Sequence, residues 1–244
     1  KNVAAGDAAD NGGGGLFNNG GTVVSDTTSY DDNLANGTAG SGGGLFSVAG
    51  DVHLNRTQFN RNVANRAGGA IEVIDGNLLF QRSLMYDNVA GPEGSAAPGN
   101  GGGIHSTGAA EGTVSKSTVG RNIAALEGGG LWNAANGEML VIGSAVLSNV
   151  AKGAAADDGG GGIFNNGGEM TIDYTTVAFN KATGASGSGG GLFSLGGDVA
   201  AFKTTFEENA APRAGGGIEV ASAGAVRLNT CLLYTSPSPR DATL

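Results

Sequence analysis

Two short motifs recur along this chain at a spacing that few folds can accommodate. Gly-Gly-(Gly/Ala)-(Leu/Ile) occurs eight times, its aliphatic residue being Leu16, Leu45, Ile71, Ile104, Leu131, Ile163, Leu192 and Ile218. After each of the first seven comes apolar-x-x-Asn-x-Ala, with Asn33, Asn62, Asn88, Asn122, Asn149, Asn180 and Asn209. The apolar residues three places earlier are Tyr30, Phe59, Met85, Val119, Val146, Val177 and Phe206. From aliphatic to alanine the distance is always 19 or 20 residues, whereas from that alanine to the next aliphatic it runs from 7 to 14. A constant segment alternating with a variable one marks a solenoid whose coils each carry a loop of free length at one corner.

Inside the constant segment the local pattern is that of strands. Runs such as TVV at 22–24, DVHL at 51–54, MTI at 170–172 and AVRL at 225–228 are short, often alternating and bounded by Gly or Asn. Glycine makes up 48 of 244 residues, which at about 1 kcal/mol per position no helical bundle would tolerate. The glycines cluster without a Gly-X-Y period, so collagen is excluded. An apolar content of 39% allows a buried core. The glycine runs fit a tight corner, and the recurring Asn fits a second one, where stacked amides bond to one another in a ladder. The expected fold is an all-β, right-handed parallel β-helix of about seven to eight coils, each of 26–33 residues.

A longer repeat lies over the short one. Shifting the chain by 147 residues superposes residues 2–83 on 149–230 with 43 of 82 positions identical. Five coils are thus partly duplicated as a block. The shift places Asn2-Val3-Ala4 on Asn149-Val150-Ala151, so the chain is expected to begin inside a coil and to be truncated at both ends. Solenoids hide their open edges with polar caps, and uncapped coils should associate edge to edge. Residues 231–241, CLLYTSPSPRD, match nothing else in the chain and resemble a translated transposase sequencing adapter. Residues 1–230 are therefore read as one solenoid and 231–244 as an artefactual tail. The only cysteine, Cys231, belongs to that tail, so no disulfide framework is expected.

GGAI at 68–71, FNRN at 59–62 and FEEN at 206–209 resemble the Gly-Gly-Ala-(Ile/Leu/Val) and Phe-x-x-Asn repeats of chlamydial polymorphic outer-membrane proteins and related bacterial surface β-helices. The resemblance covers residues 1–230, although most copies here read GGG where that family has GGA. It implies a secreted or cell-surface protein, at the outer membrane if bacterial, often an adhesin or an autotransporter passenger. A net charge of −9 speaks against a nucleic-acid partner, and no apolar run approaches the ~18 residues of a membrane helix.

Candidate sites follow from the column one residue after each aliphatic: Phe17, Phe46, Glu72, His105, Trp132, Phe164, Phe193 and Glu219. Strand alternation places this column opposite the core-facing aliphatic, and it is read here as outward. Glu72 and His105 would then be neighbours one coil apart, the one acid–base pair from which polysaccharide cleavage can be built. The bland alternative is a charged and a polar residue in a variable ladder. Phe17, Phe46, Trp132, Phe164 and Phe193 form a second candidate, an aromatic stripe for sugar rings or a partner protein. Their alternative role is structural: stacking on one another beneath the variable loop. Loops 90–104 and 151–163 are the third candidate. Asp31, Asp32, Asp157 and Asp158 could touch calcium, but without a calcium-repeat or EF-hand spacing no metal is expected. His53 and His105 stand 52 residues apart without a cysteine partner set, so zinc is not expected either, and no cofactor motif is present. The functional expectation is an adhesin-like or structural interaction module that meets a glycan or a surface protein of a host or neighbouring cell. A polysaccharide lyase or glycoside hydrolase on the same fold is the alternative.

Overall fold

The computed structural model describes residues 1–234. It is a parallel β-solenoid of 31 strands, with no helix among the described residues. One coil illustrates all of them. Ile71–Ile74, Asn77–Gln81, Leu84–Tyr86 and Val89–Ala90 follow in order, each on a different side. Each strand pairs in parallel with its counterparts one coil before and after, which builds three sheets of eight strands and one of seven. Register is strict: Ile71 lies between Leu45 and Ile104, and Phe80 between Leu54 and Val114. Coil after coil, the repeated residues therefore form columns.

The core is made of such columns. The repeated aliphatics (Leu45, Ile71, Ile104, Leu131, Ile163, Leu192) and the residues before each Asn (Phe59, Met85, Val119, Val146, Val177, Phe206) are buried in one continuous cluster. Alternate residues of the second sheet, such as Leu78 and Phe80 or Met139 and Val141, join them. At roughly 1.5–3 kcal/mol per fully buried large side chain, these columns drive the stacking.

Corners are held by polar ladders. The Asn33 Nδ2 donates to Asn62 Oδ1 at 3.0 Å, Asn62 to Asn88 at 2.9 Å, and Asn88 to Asn122 at 2.8 Å. Asn122 donates to Asn149 at 2.9 Å, Asn149 to Asn180 at 3.0 Å, and Asn180 to Asn209 at 2.9 Å. A second ladder escaped the sequence reading. Thr57, Ser83, Ser117, Ser144, Thr175 and Thr204 stand five residues before successive ladder asparagines and are all buried. The Ser83 hydroxyl accepts from the Thr57 N–H at 2.9 Å, and Ser117 accepts from the Ser83 N–H at 3.0 Å. Between second and third sheets the residue before each hydroxyl turns left-handed although it is rarely Gly: Arg56, Arg82, Lys116, Tyr174 and Lys203 have φ of 53°, 48°, 50°, 46° and 44°.

The coil does not stop at residue 230. Leu232–Tyr234 pairs with Thr205–Glu207, and Cys231 takes the hydroxyl position, its thiol lying 3.3 Å from the Ala201 carbonyl. Residues 235–244, the rest of the segment read as adapter, lie outside the described residues.

Candidate functional site

The column after the aliphatics is in register as expected, with Glu72 paired between Phe46 and His105, and His105 beside Trp132. Its orientation corrects the sequence reading. Phe46, Glu72, Phe164 and Phe193 are 0% exposed, His105 4% and Trp132 7%. Phe17, in the first full coil, is open to solvent at 50%, and Glu219 is half-buried. The cause lies in the glycine run. Its first glycine turns left-handed, with φ of 60° at Gly42 and Gly68 and 64° at Gly128, and folds the loop back over the column. A Cβ on Gly42 would come within 2.8 Å of the Phe46 Cβ, and one on Gly68 within 2.8 Å of the Glu72 Cβ. The first sheet is thus covered on both faces, as parallel sheets commonly are. Trp132, Phe164 and Phe193 form a second hydrophobic cluster with Ala134. The aromatic stripe is therefore packing within the molecule and not an open sugar platform.

Two charges interrupt this apolar column. Glu72 accepts from the Arg66 guanidinium, whose Nε donates to the Ser41 hydroxyl at 2.8 Å. His105 Nδ1 lies 3.3 Å from the same Glu72 oxygen without the alignment of a hydrogen bond, and Glu72 Oε2 has no partner among the described residues. Burial raises the affinity of the Glu72 carboxyl for a proton. The attraction of His105, followed by that of Arg66, outweighs burial and holds the carboxyl below its ordinary pKa of 4.5.

The block duplication supplies an internal control. Arg213 Nε donates to the Ser188 hydroxyl at 2.7 Å, and its Nη2 donates to Glu219. The Ser–Arg–Glu unit thus recurs at a shift of 147 residues. There Arg213 holds a half-buried carboxylate with no histidine paired beside it among the described residues. Sequence reasoning missed the arginine. The available signal was RAGGAIEV against RAGGGIEV, where Arg precedes the column Glu by six residues in both copies.

The other face of His105 stacks on Trp132, ring centroids 4.3 Å apart. The Trp132 Nε1–H donates to Glu127 Oε2 at 3.0 Å. Burial pushes the Glu127 carboxyl up to about 7, with the indole N–H opposing the rise and Asp158 and Asp157 adding to it. A carboxyl whose folded pKa exceeds its unfolded value stabilises the fold below the unfolded value, and that contribution is lost as pH rises through about 7. Acidification from pH 8 to pH 5 should therefore raise the thermal midpoint and change Trp132 fluorescence with an apparent pKa near 7. In Glu127→Gln both responses should vanish. A titration of Trp132 emission that persists in the variant would refute this assignment.

Three of the four aspartates read as calcium candidates are occupied within the protein, and the fourth, Asp157, is exposed. Asp158 accepts from the Ala155 N–H at 2.8 Å, Asp31 accepts from Asn60 at 2.8 Å, and Asp32 pairs with Arg61 at 2.8 Å. Among the described residues no group of three or more His, Cys, Asp or Glu side chains is placed to hold a metal ion. A cavity of about 1030 Å³ opens at the last described coil, lined by Phe206, Ile218, Val226 and Leu233 and several coils away from Glu72. No helix is long and apolar enough to cross a membrane. No family model, curated protein or solved structure matches the chain.

Proposed function

We propose that this chain is a secreted or cell-surface β-helix, at the outer membrane if bacterial, serving as an adhesin-like interaction module. One observation carries the reading: segments of widely differing length all leave the coil at one corner, between the fourth sheet and the first, while the turn from the first sheet to the second varies by a single residue and the other two corners keep their length. Residues 154–157 are exposed, as are Glu93, Gly94, Ala96 and Pro98, on a scaffold whose strands stay in register. A rigid support with loops free to vary is how repeat proteins present binding surfaces. The Gly-Gly-Ala-Ile and Phe-x-x-Asn repeats at 68–71 and 59–62, which resemble those of polymorphic outer-membrane proteins, support the surface setting. The partner would be a glycan or a surface protein of a host or neighbouring cell. The polysaccharide-cleaving alternative needs an acid–base pair that a polymer can reach, and Glu72 and His105 are sealed beneath Gly68 and Gly101. Edge-to-edge self-association belongs to the same reading, since Leu232, Leu233 and Tyr234 are more than half exposed on a strand that has no partner on its far edge among the described residues.

The longest loop offers a clean test. A Cβ on Gly91 would lie 2.7 Å from the Gly99 Cα, so the neck is already closed. Excising residues 92–98 should leave the thermal midpoint within a few degrees of the parent. It should also abolish binding to whole cells or to an immobilised glycan panel that the parent recognises. Release of new reducing ends from a polysaccharide by the purified protein would replace this reading with the enzymatic one.

A further inference from the structure

The left-handed corner between the second and third sheets forms a ridge along the solenoid, and its side chains are neither random nor neutral. In coil order its positions are Thr27, Arg56, Arg82, Lys116, Gly143, Tyr174, Lys203 and Thr230. The preceding residues Asn55, Gln81 and Ser115 are in register. The Arg56 N–H donates to the Gln81 carbonyl at 3.1 Å, and the Arg82 N–H to the Ser115 carbonyl at 2.9 Å. Arg56, Arg82 and Lys116 therefore stand on consecutive rungs roughly 4.8 Å apart. All three are exposed, as is Lys203.

Arg56 pairs with Asp26 at 2.8 Å, but Arg82 and Lys116 enter no ion pair among the described residues. The neighbouring left-handed corner is organised differently. There Asp32, Arg61, Asp87 and Arg121 alternate in sign and close on one another at 2.8 Å. Like charges stacked in register repel, and on this ridge no ion pair among the described residues offsets the repulsion at Arg82 and Lys116. Further along, Tyr174 is 58% exposed with the Lys203 ammonium 4.5 Å from its ring centroid. Lys116 reaches toward that end: a Cβ on Gly143 would lie 3.8 Å from its Cγ. A row of cations thus leads, across a glycine, to an exposed aromatic ring.

We propose that this ridge binds an extended anionic polysaccharide lying along the solenoid axis. Its carboxylate or sulfate groups meet Arg82 and Lys116, and a sugar ring lies against Tyr174. The proposal rests on the adhesin-like reading and names a partner class for it, on a surface other than the loop corner. The net charge of −9 opposes any polyanion at long range, and Asp26 and Asp173 border the ridge at Thr27 and Tyr174, so the attraction is local to Arg82 and Lys116. The acidic row Glu111, Glu138, Glu169 and Asp198 begins the strands whose ends the ridge follows, about 13 Å away. That distance exceeds the ~8 Å screening length at physiological ionic strength. Nucleic acid fits less well, because single strands are gripped by repeated aromatic platforms and the ridge carries one.

The test uses the whole 244-residue chain in affinity electrophoresis against heparin, polygalacturonate, neutral dextran and an oligothymidylate. The parent should be retarded by heparin, polygalacturonate or both, and not by dextran, with retardation weakening as salt rises; the two acidic gels separate sulfate from carboxylate recognition. R82N/K116N, in which Asn tolerates the left-handed backbone, should lose about tenfold in affinity with an unchanged thermal midpoint. The variant lacking residues 92–98 should keep this binding. Retention of binding by R82N/K116N, absence of binding to either acidic polymer, or equal retardation by the oligonucleotide would each overturn the ridge proposal. If the loop excision abolishes cell binding while R82N/K116N behaves as the parent, the ridge proposal fails and the adhesin-like reading survives.

Discussion

Asn122→Ala should destabilise the solenoid by about 2–4 kcal/mol, read as a lower urea midpoint. The side chain is fully buried and serves three partners at once. Its Oδ1 accepts from the Asn88 backbone N–H at 3.1 Å and from Asn88 Nδ2 at 2.8 Å, while its own Nδ2 donates to Asn149 Oδ1 and to the Met85 carbonyl. Truncation strands the Asn88 backbone N–H in the interior, at roughly 1–3 kcal/mol, and takes one partner each from the Asn88 amide, which keeps the Phe59 and Tyr86 carbonyls, and from the Met85 carbonyl. The same change at Asn209, half-buried near the end of the ladder, should cost less than half as much. Equal losses at the two positions, or a loss below 1 kcal/mol at Asn122, would show that the ladder does not hold the corner.

Glu72→Ala should cost about 3–5 kcal/mol, because Arg66 is then left beside a buried site with no counter-charge. The apolar neighbours suggest how to undo the damage. Phe46, Phe164 and Phe193 fill the equivalent positions of other coils, so the double variant R66A/E72F should match or exceed the parent, by up to about 4 kcal/mol. The pH response separates the two explanations. A carboxyl held below its ordinary value stabilises the fold above pH 4.5, and that stability is lost as pH falls further. R66A/E72F should therefore show a flatter midpoint between pH 4.5 and pH 3 than the parent. A double variant as unstable as Glu72→Ala would mean that the charges, and not merely the filled volume, are required.

The columns were legible because a solenoid repeats its demands: Ile71, Phe59 and Asn62 each recur at a fixed offset, and the offset is the register. The outward placement of Phe46 and Trp132 failed for a physical reason. Strand alternation says only that a residue lies opposite the core-facing aliphatic. It does not say what covers that second face. Here the cover comes from Gly42 and Gly128, a few residues earlier, whose left-handed turn no periodicity reveals. The hydroxyl column through Ser83, Ser117 and Ser144 was hidden because serine before a strand reads as solvent-facing turn chemistry. The basic ridge was hidden because Arg and Lys rarely adopt a left-handed backbone, and only the coil's corner imposes it.

The match between residues 2–83 and 149–230 spans a whole number of turns, so every duplicated side chain rejoins the stack it came from. Unequal crossover between such copies in a gene would add or remove about 24 Å of rod at a stroke without disturbing a single neighbour relationship. The reach of the molecule is therefore a quantity that recombination can tune independently of its stability.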